Sequence, residues 1–275
     1  MLDFDLGLFR FAEGKKIRLY ECAPDEVSGF SKEQSEERLA KNLKELEELQ
    51  YRLYADDQRS VLIVLQGIST AGKDGTIRKV MSAFNPQGVY VNSFKEPEGS
   101  EKDHDYLWRI HRACPPRGSI GILNRSHYED VLVTRVDKLI DEDSASKRIR
   151  HINEFERMLV DEGTVVIKLF LNISKAEQLE RLNNRLDDST RNWKFSDADA
   201  REHAQWDRYS EIFGDTLTRT NTDYAPWWII PSNRKWFRNL VVSEILLKAL
   251  RDLKLEWPKP TMNLAKARKA LKDLR

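Results

Sequence analysis

Five apolar residues, Val61 to Leu65, run through Gln66 into Gly67-Ile-Ser-Thr-Ala-Gly-Lys73, and a helical pattern follows. A buried strand, a glycine-bearing turn and a helix in that order make a phosphate-binding loop. Gly67 and Gly72 permit backbone angles that a β-carbon would forbid, so the amides of the turn can converge on phosphate oxygens. The positive end of the following helix favours an anion, and Lys73 adds a mobile point charge. The spacing Gly67-x-x-x-x-Gly72-Lys73 fits this reading, but the next position, where Ser or Thr would ligate Mg²⁺, is Asp74. A strand-to-helix turn that holds no ligand is the alternative for this segment.

Strands alternating with helices on both sides of the loop predict a three-layer α/β/α domain with a five-stranded parallel sheet and ligands at the carboxyl ends of the strands. The strands are expected at 60–66, 89–94, 119–123, 164–171 and 227–230. Helices are expected at 31–54, opened by a Ser31/Gln34 capping box, and at 74–84, 100–113, 127–136, 144–161, 174–186, 197–220 and 235–253. Residues 1–30 read as an arm over this single domain, residues 181–205 as a lid, and residues 259–275 as a basic, partly helical tail. The helix 31–54 is expected to pack on the domain or on a partner subunit, and the protein to be a homo-oligomer.

Net charge is +1, so no global field draws the chain to nucleic acid or membrane, and any basic site is local. Apolar runs are too short to span a bilayer. The first residues carry acids and no basic stretch, unlike a signal peptide. Two isolated cysteines, Cys22 and Cys114, form no disulfide framework and no zinc spacing, which suits a reducing cytoplasm.

Two further clusters carry chemistry. The third strand runs into Asn124-Arg-Ser-His-Tyr-Glu-Asp130, where a loop of this kind places functional acids; capping and solvation of a helix's first turn by Glu129 and Asp130 is the competing, weaker reading. Arg181, Arg185, Arg191 and Lys194, with Trp193 and Phe195 among them, lie after the fourth strand, where a closing lid would bring cations to phosphates; a solvated helix face is the competing reading. Trp227 and Trp228 read as core.

Five strings in order resemble the polyphosphate kinase 2 family: residues 65–77, 93–97, 104–111, 124–133 and 225–231. The resemblance covers about residues 30–255. It implies a P-loop kinase-like fold with a helical lid, and reversible phosphoryl transfer between inorganic polyphosphate and adenine or guanine nucleotides, with Mg²⁺ as cofactor. The form Asn124 to Asp130 looks like the subgroup that handles both mono- and diphosphates, with Asn124 and Glu129 the telling positions.

By matching position, the resemblance implies that Lys73, Arg125, Glu129 and Asp130 are catalytic. Gly67, Ser69, Thr70, Ala71, Gly72, Lys73, Asp74, Gly75, Asn124 and Tyr128 would bind phosphate or nucleotide. Lys95, Arg112, Arg117, Arg181, Arg185 and Lys194 would line the lid and polyphosphate channel. The family's loop usually reads Gly-x-Asp-x-x-Gly-Lys, and here Ser69 stands at the acidic position, which removes a hard anionic ligand. Asp74 and Glu129 are then the expected metal carboxylates. The alternatives are an ATP-dependent P-loop kinase of another substrate, a low-activity polyphosphate or nucleotide binder, and a nucleic-acid binder, the last disfavoured by net charge.

Overall fold

The computed structural model describes residues 4–274; the first three residues of the arm and the last of the tail lie outside the described residues. The chain runs α1 (Lys32–Asp56), β1 (Ser60–Gln66), α2 (Lys73–Val80), β2 (Val89–Ser93), α3 (Trp108–Arg112), β3 (Ile120–Asn124), α4 (Glu129–Val136), α5 (Glu142–Asp161), β4 (Thr164–Asn172), α6 (Lys175–Asp187), α7 (Asp197–Ala204), α8 (Trp206–Thr220), β5 (Trp227–Pro231), α9 (Lys235–Asp252) and α10 (Leu264–Lys272).

All five strands are parallel, in the order β2-β3-β1-β4-β5. β1 is central and all seven of its residues are buried, as a strand covered on both faces requires. α1, α2 and α9 pack together on one side, and α4, α5 and α8 on the other, giving the three layers that the alternation of elements predicts. After β1 the chain moves outward to β2 and returns to β3, then crosses β1 to reach β4. The carboxyl ends of β1, β3 and β4 therefore surround the point where the winding direction reverses, the place where open α/β sheets bind ligands.

Ser31 opens α1 through the expected capping box: its hydroxyl accepts from the Gln34 amide at 3.2 Å, and the Gln34 side chain accepts from the Ser31 amide at 3.0 Å. Leu39, Leu46 and Leu53 are buried, and α1 lies along α9 of its own domain. Burial of each such leucine contributes about 1.5–3 kcal/mol. Across the same contact Asn42 Nδ2 donates to Ser243 Oγ (2.9 Å) and Glu244 Oε1 (2.6 Å).

Two predicted helices are broken. Residues 100–113 split into a 3₁₀ segment, Gly99–Asp103, and α3, because the Asp105 side chain accepts from the Leu107 and Trp108 amides (2.9 and 3.1 Å) and starts a new helix there. Residues 197–220 split at Gln205 (φ −98°, ψ 23°). α8 buries Tyr209, Ile212, Phe213 and Leu217 on the domain, whereas α7 turns Asp199 and Glu202 toward the loop after β1. Periodicity cannot separate two helices that share a joint but serve different surfaces. Among the described residues no helix is long and apolar enough to cross a membrane. Cys22 and Cys114 are free thiols, each pushed up to about 11 by burial.

Candidate active site

The loop from Gly67 to Lys73 leaves the carboxyl end of β1 and enters α2. Gly67 has φ 150°, and a β-carbon there would lie 2.8 Å from the Leu171 carbonyl oxygen. Gly72 has φ 110°, and a β-carbon there would collide with the Arg238 guanidinium. Both glycines are therefore required by space as well as by torsion. Between them Thr70, β-branched, sits at φ 63°. Such a conformation costs on the order of 1–3 kcal/mol and persists only where surrounding structure imposes it.

Lys73 turns back on the loop and donates from Nζ to the carbonyls of Gly67 (2.6 Å) and Ile68 (3.3 Å). Burial, aided by the charge of Arg125, lowers its pKa; Glu129, Glu202 and Asp74 act in the opposite sense. The ammonium is thus held in a desolvated site against backbone oxygens, with three carboxylates in electrostatic reach.

The end of β3 forms the second wall. Arg125 N–H donates to Leu65 O (3.2 Å), and buried Gln66 Nε2 donates to Ser126 Oγ (3.1 Å), so the ends of β1 and β3 are tied. Asn124 Nδ2 donates to Asp74 Oδ1 at 2.9 Å. Arg125, at φ 62°, stands half-exposed 3.7 Å from Glu129. The structure brings Asn124, Arg125 and Glu129 beside the loop.

Tyr128 and Asp130 are corrected. Tyr128 is fully buried, packs on Trp227 and donates to Glu156 Oε1 at 2.7 Å, so its ring faces the core and not the phosphate loop. Four consecutive residues opening a helix cannot all face one way, and the apolar face takes Tyr128. His127 lies buried beside it, 3.1 Å from the same carboxylate oxygen. Asp130 faces Arg109 (3.9 Å) and Arg148 (4.0 Å) in place of the loop, and burial raises its pKa against the pull of those two cations.

The excursion between β4 and α8 closes over the loop. Lys194 donates to Asp74 Oδ2 (2.9 Å) and Arg185 to Asp199 Oδ2 (3.1 Å). Arg181 is corrected from a lid cation to a clamp: it donates to the carbonyls of Thr70 (3.0 Å), Ala71 (3.2 Å), Ser232 (2.6 Å) and Asn233 (3.0 Å), and to Glu177 (2.7 Å). Sequence reading missed the two acids of α7. Asp199 accepts from the Ser69 hydroxyl, and Glu202 Oε1 accepts from the Ser69 amide at 2.6 Å and from Gln178 Nε2 at 2.9 Å. A carboxylate thus occupies an amide of the loop, and two acids of α7 meet Ser69, whose own side chain is a neutral hydroxyl.

Burial pushes the Glu202 carboxyl up to about 7, opposed by Lys73 and the Ser69 amide and reinforced by Asp199 and Glu129. The folded protein therefore holds this proton to higher pH than the unfolded chain, where a glutamate titrates near 4.3. Stability from this group is greatest below about 4.3 and is lost as pH rises to about 7. Urea unfolding of wild type and Glu202→Gln at pH 5 and pH 8 is expected to show the variant gaining on wild type at the higher pH. Parallel profiles would contradict this.

Of the remaining expected channel cations, Lys95 is exposed just beyond the carboxyl end of β2. Arg112 is exposed and lies 4.6 Å over the Trp108 ring. Arg117 is corrected: its neighbour Gly118 donates to Arg59 O at 2.8 Å, before β1 begins, which puts Arg117 at the amino end of a parallel sheet, opposite the loop.

A fold with this loop at the central strand, a guanidinium beside it and a cation-bearing cover is built to hold phosphate chains. The polyphosphate kinase 2 (PPK2) family model matches residues 29–258. The chain is 47% identical over 254 residues to an AMP/ADP-polyphosphate phosphotransferase of Meiothermus ruber, covering 92% of this chain and 95% of the relative. It is 40% identical over 267 residues to an ADP-polyphosphate phosphotransferase of Rhodopseudomonas palustris, covering 92% of each. The crystal structure of polyphosphate kinase 2 from Arthrobacter aurescens TC1 superposes with a TM-score of 0.92 at 38% identity, covering 97% of this chain and 95% of that one. The chain belongs to the polyphosphate kinase 2 family and is a phosphotransferase of that type.

Proposed function

We propose that this enzyme transfers phosphoryl groups reversibly between inorganic polyphosphate and nucleoside mono- and diphosphates, AMP and ADP foremost. The observation that carries the reading is Lys73 in a glycine-framed loop at the central strand, with Arg125 on one side and the α6–α7 excursion on the other. Phosphoryl transfer asks for in-line placement and for positive groups around spreading negative charge. The loop amides and Lys73 hold the phosphoryl group being moved. Arg125, half-exposed, reaches the neighbouring phosphates. Lys194 and Arg185 bring charge from the excursion, which acts as a lid.

Glu202 and an incoming phosphate compete for the Ser69 amide, so substrate binding displaces α7 from the closed arrangement. Glu129 stands on the acceptor side.

Mg²⁺ at such sites rests on one or two carboxylates and mainly on phosphates and water. No three metal-ligating side chains converge among the described residues. Asp74 and Glu129 fit the role: both act electrostatically on Lys73, and among the described residues Asp74 takes the Asn124 side-chain amide and a lid lysine. Bound there with the phosphates, the ion would neutralise charge that develops during transfer.

The test is nucleotide production from AMP, ADP and their guanine counterparts with polyphosphate and Mg²⁺ and no ATP. ADP and ATP are expected to form, and kcat/KM to fall steeply as salt rises, because a polyanion releases counterions on binding. Absence of product after long incubation, with polyphosphate shown to bind, would favour a non-catalytic binder.

A further inference from the structure

Two guanidinium groups are buried together on the carbonyl side of the phosphate loop. Arg181 has an acidic partner in Glu177 at 2.7 Å. Arg238, in the first turn of α9, is 3% exposed and pairs with no carboxylate among the described residues. Its Nε and Nη2 donate to Asn239 Oδ1 (3.2 and 2.9 Å), and its Nη1 reaches Ala71 O at 3.5 Å. It fills the space where a side chain on Gly72 would stand, and Nη2 lies 3.3 Å from where a β-carbon on Gly75 would be. Burial and the charge of Arg181 push it down to about 10, so it stays charged at neutral pH. Lys235, one turn earlier on α9, is lowered by burial and by the same two arginines.

A buried charge without a counter-ion is destabilising, and an apolar side chain of similar size would fill such a space at least as well. The acids near the loop do not serve Arg238. Asp74 takes Asn124 and Lys194, Asp199 takes Ser69 and Arg185, and Glu202 takes the Ser69 amide and Gln178. The carbonyls of Thr70 and Ala71 point to the two guanidiniums, and the Ser69 amide meets a carboxylate of α7. The guanidinium of Arg238 lies against the backbone of Ala71 and Gly72, the same turn whose amides form the anion cradle.

We propose that Arg238 is a positioning residue of the phosphate site, holding the backbone at Ala71–Gly72 and supplying from behind the loop a positive charge whose counter-ion is the bound phosphoryl group. The inference rests on the loop being the phosphate seat. A residue that only buttresses the loop would be missed equally by the ligand-free and the ligand-bound protein. A residue whose charge awaits an anion is missed only when the anion binds.

The experiment is thermal unfolding of the full chain with and without tripolyphosphate, for wild type, Arg238→Met, Arg238→Lys and Lys73→Ala. Wild type is expected to be stabilised by tripolyphosphate and Lys73→Ala much less so, which establishes the seat independently of Arg238. Arg238→Met is expected to unfold at or above the wild-type temperature without ligand and to bind tripolyphosphate about 10- to 100-fold more weakly. Arg238→Lys, which keeps the charge and loses the fork, is expected to stay within a few fold of wild type. A lower ligand-free Tm with unchanged affinity in Arg238→Met would overturn the proposal. Should that variant not fold, loss of affinity in Arg238→Lys as large as in Lys73→Ala would overturn it too. If wild type gains nothing from tripolyphosphate, the reading of the loop fails first and the proposal with it.

Discussion

Replacing Lys73 with alanine is expected to lower kcat/KM for polyphosphate-dependent phosphorylation of ADP by at least about 10²–10³-fold while leaving the fold intact, the range commonly seen when one pre-placed transition-state contact is removed. Among the described residues the ammonium hydrogen-bonds two carbonyls of its own loop, those of Gly67 and Ile68. Its charge is disfavoured there by burial and by Arg125. Removing it relieves a desolvated cation and gives up two backbone hydrogen bonds, terms of similar size and opposite sign. The Tm of the alanine variant is therefore expected to lie within a few degrees of wild type. The anion it was placed to meet loses its nearest mobile charge. Initial rates and thermal unfolding on the same preparation separate the two effects. Near-normal turnover would remove Lys73 from the reaction, and collapse of the Tm would make it a structural residue.

The loop was legible because its chemistry is local. Gly67, Gly72 and Lys73 are fixed by the path from strand to helix, and β1 follows the predicted 60–66 to the residue. Asn124 and Arg125 were legible for the same reason, at the mouth of an apolar strand. Tyr128 and Asp130 show the limit of that reasoning. A dense polar string at a strand end says that chemistry is near, but the helix beginning at Glu129 rotates successive side chains through about 100° each, so only part of the string faces the ligand. Arg117 was misplaced because a basic residue close in sequence to β3 lies at whichever end of the strand it precedes, and in a parallel sheet that is the end away from the site. Glu202, Asp199 and Arg238 left no local signature at all. Each is an ordinary charged residue on a helix, and only tertiary packing aims it at a loop more than 120 residues away. One missed residue did leave a sign: Lys168 interrupts the apolar run from Val165 to Leu171 within β4, where burial demands a partner.

That partner makes Glu156→Ala the substitution with the largest expected effect on stability, a loss of about 3–5 kcal/mol. Glu156 and Lys168 are both fully buried between β4 and α5. Lys168 Nζ donates to Glu156 Oε2 (2.7 Å), Tyr128 Oη (3.1 Å) and Thr220 O (2.6 Å), while Glu156 Oε1 accepts from Tyr128 (2.7 Å) and lies 3.1 Å from His127 Nε2. Burial pushes the Glu156 carboxyl up, but Lys168 and His127 outweigh it and hold the group below its ordinary range. An acid with a depressed pKa stabilises the fold above the unfolded value, about 4.3, and that contribution is lost as pH falls through the lower folded value. Wild type is therefore expected to lose stability on acidification below about pH 4.5 more steeply than Glu156→Gln.

Truncation to alanine leaves the Lys168 ammonium in the core without its counter-ion, and the expected loss is about a fifth or more of the stability a domain typically has. The double variant Glu156→Leu/Lys168→Met removes both charges and is expected to recover most of the deficit, since it is the unmatched charge, and not the missing bond, that destabilises. The network also fixes Tyr128, the residue directly before α4, and so the direction in which Arg125 and Glu129 meet the loop. Restored stability with lowered kcat/KM in the double variant would mean that the ion pair is kept for the geometry of the site. Restored stability with full activity would assign it to folding alone. Urea unfolding that shows Glu156→Ala within about 1 kcal/mol of wild type would mean that the buried lysine has shed its proton or found water.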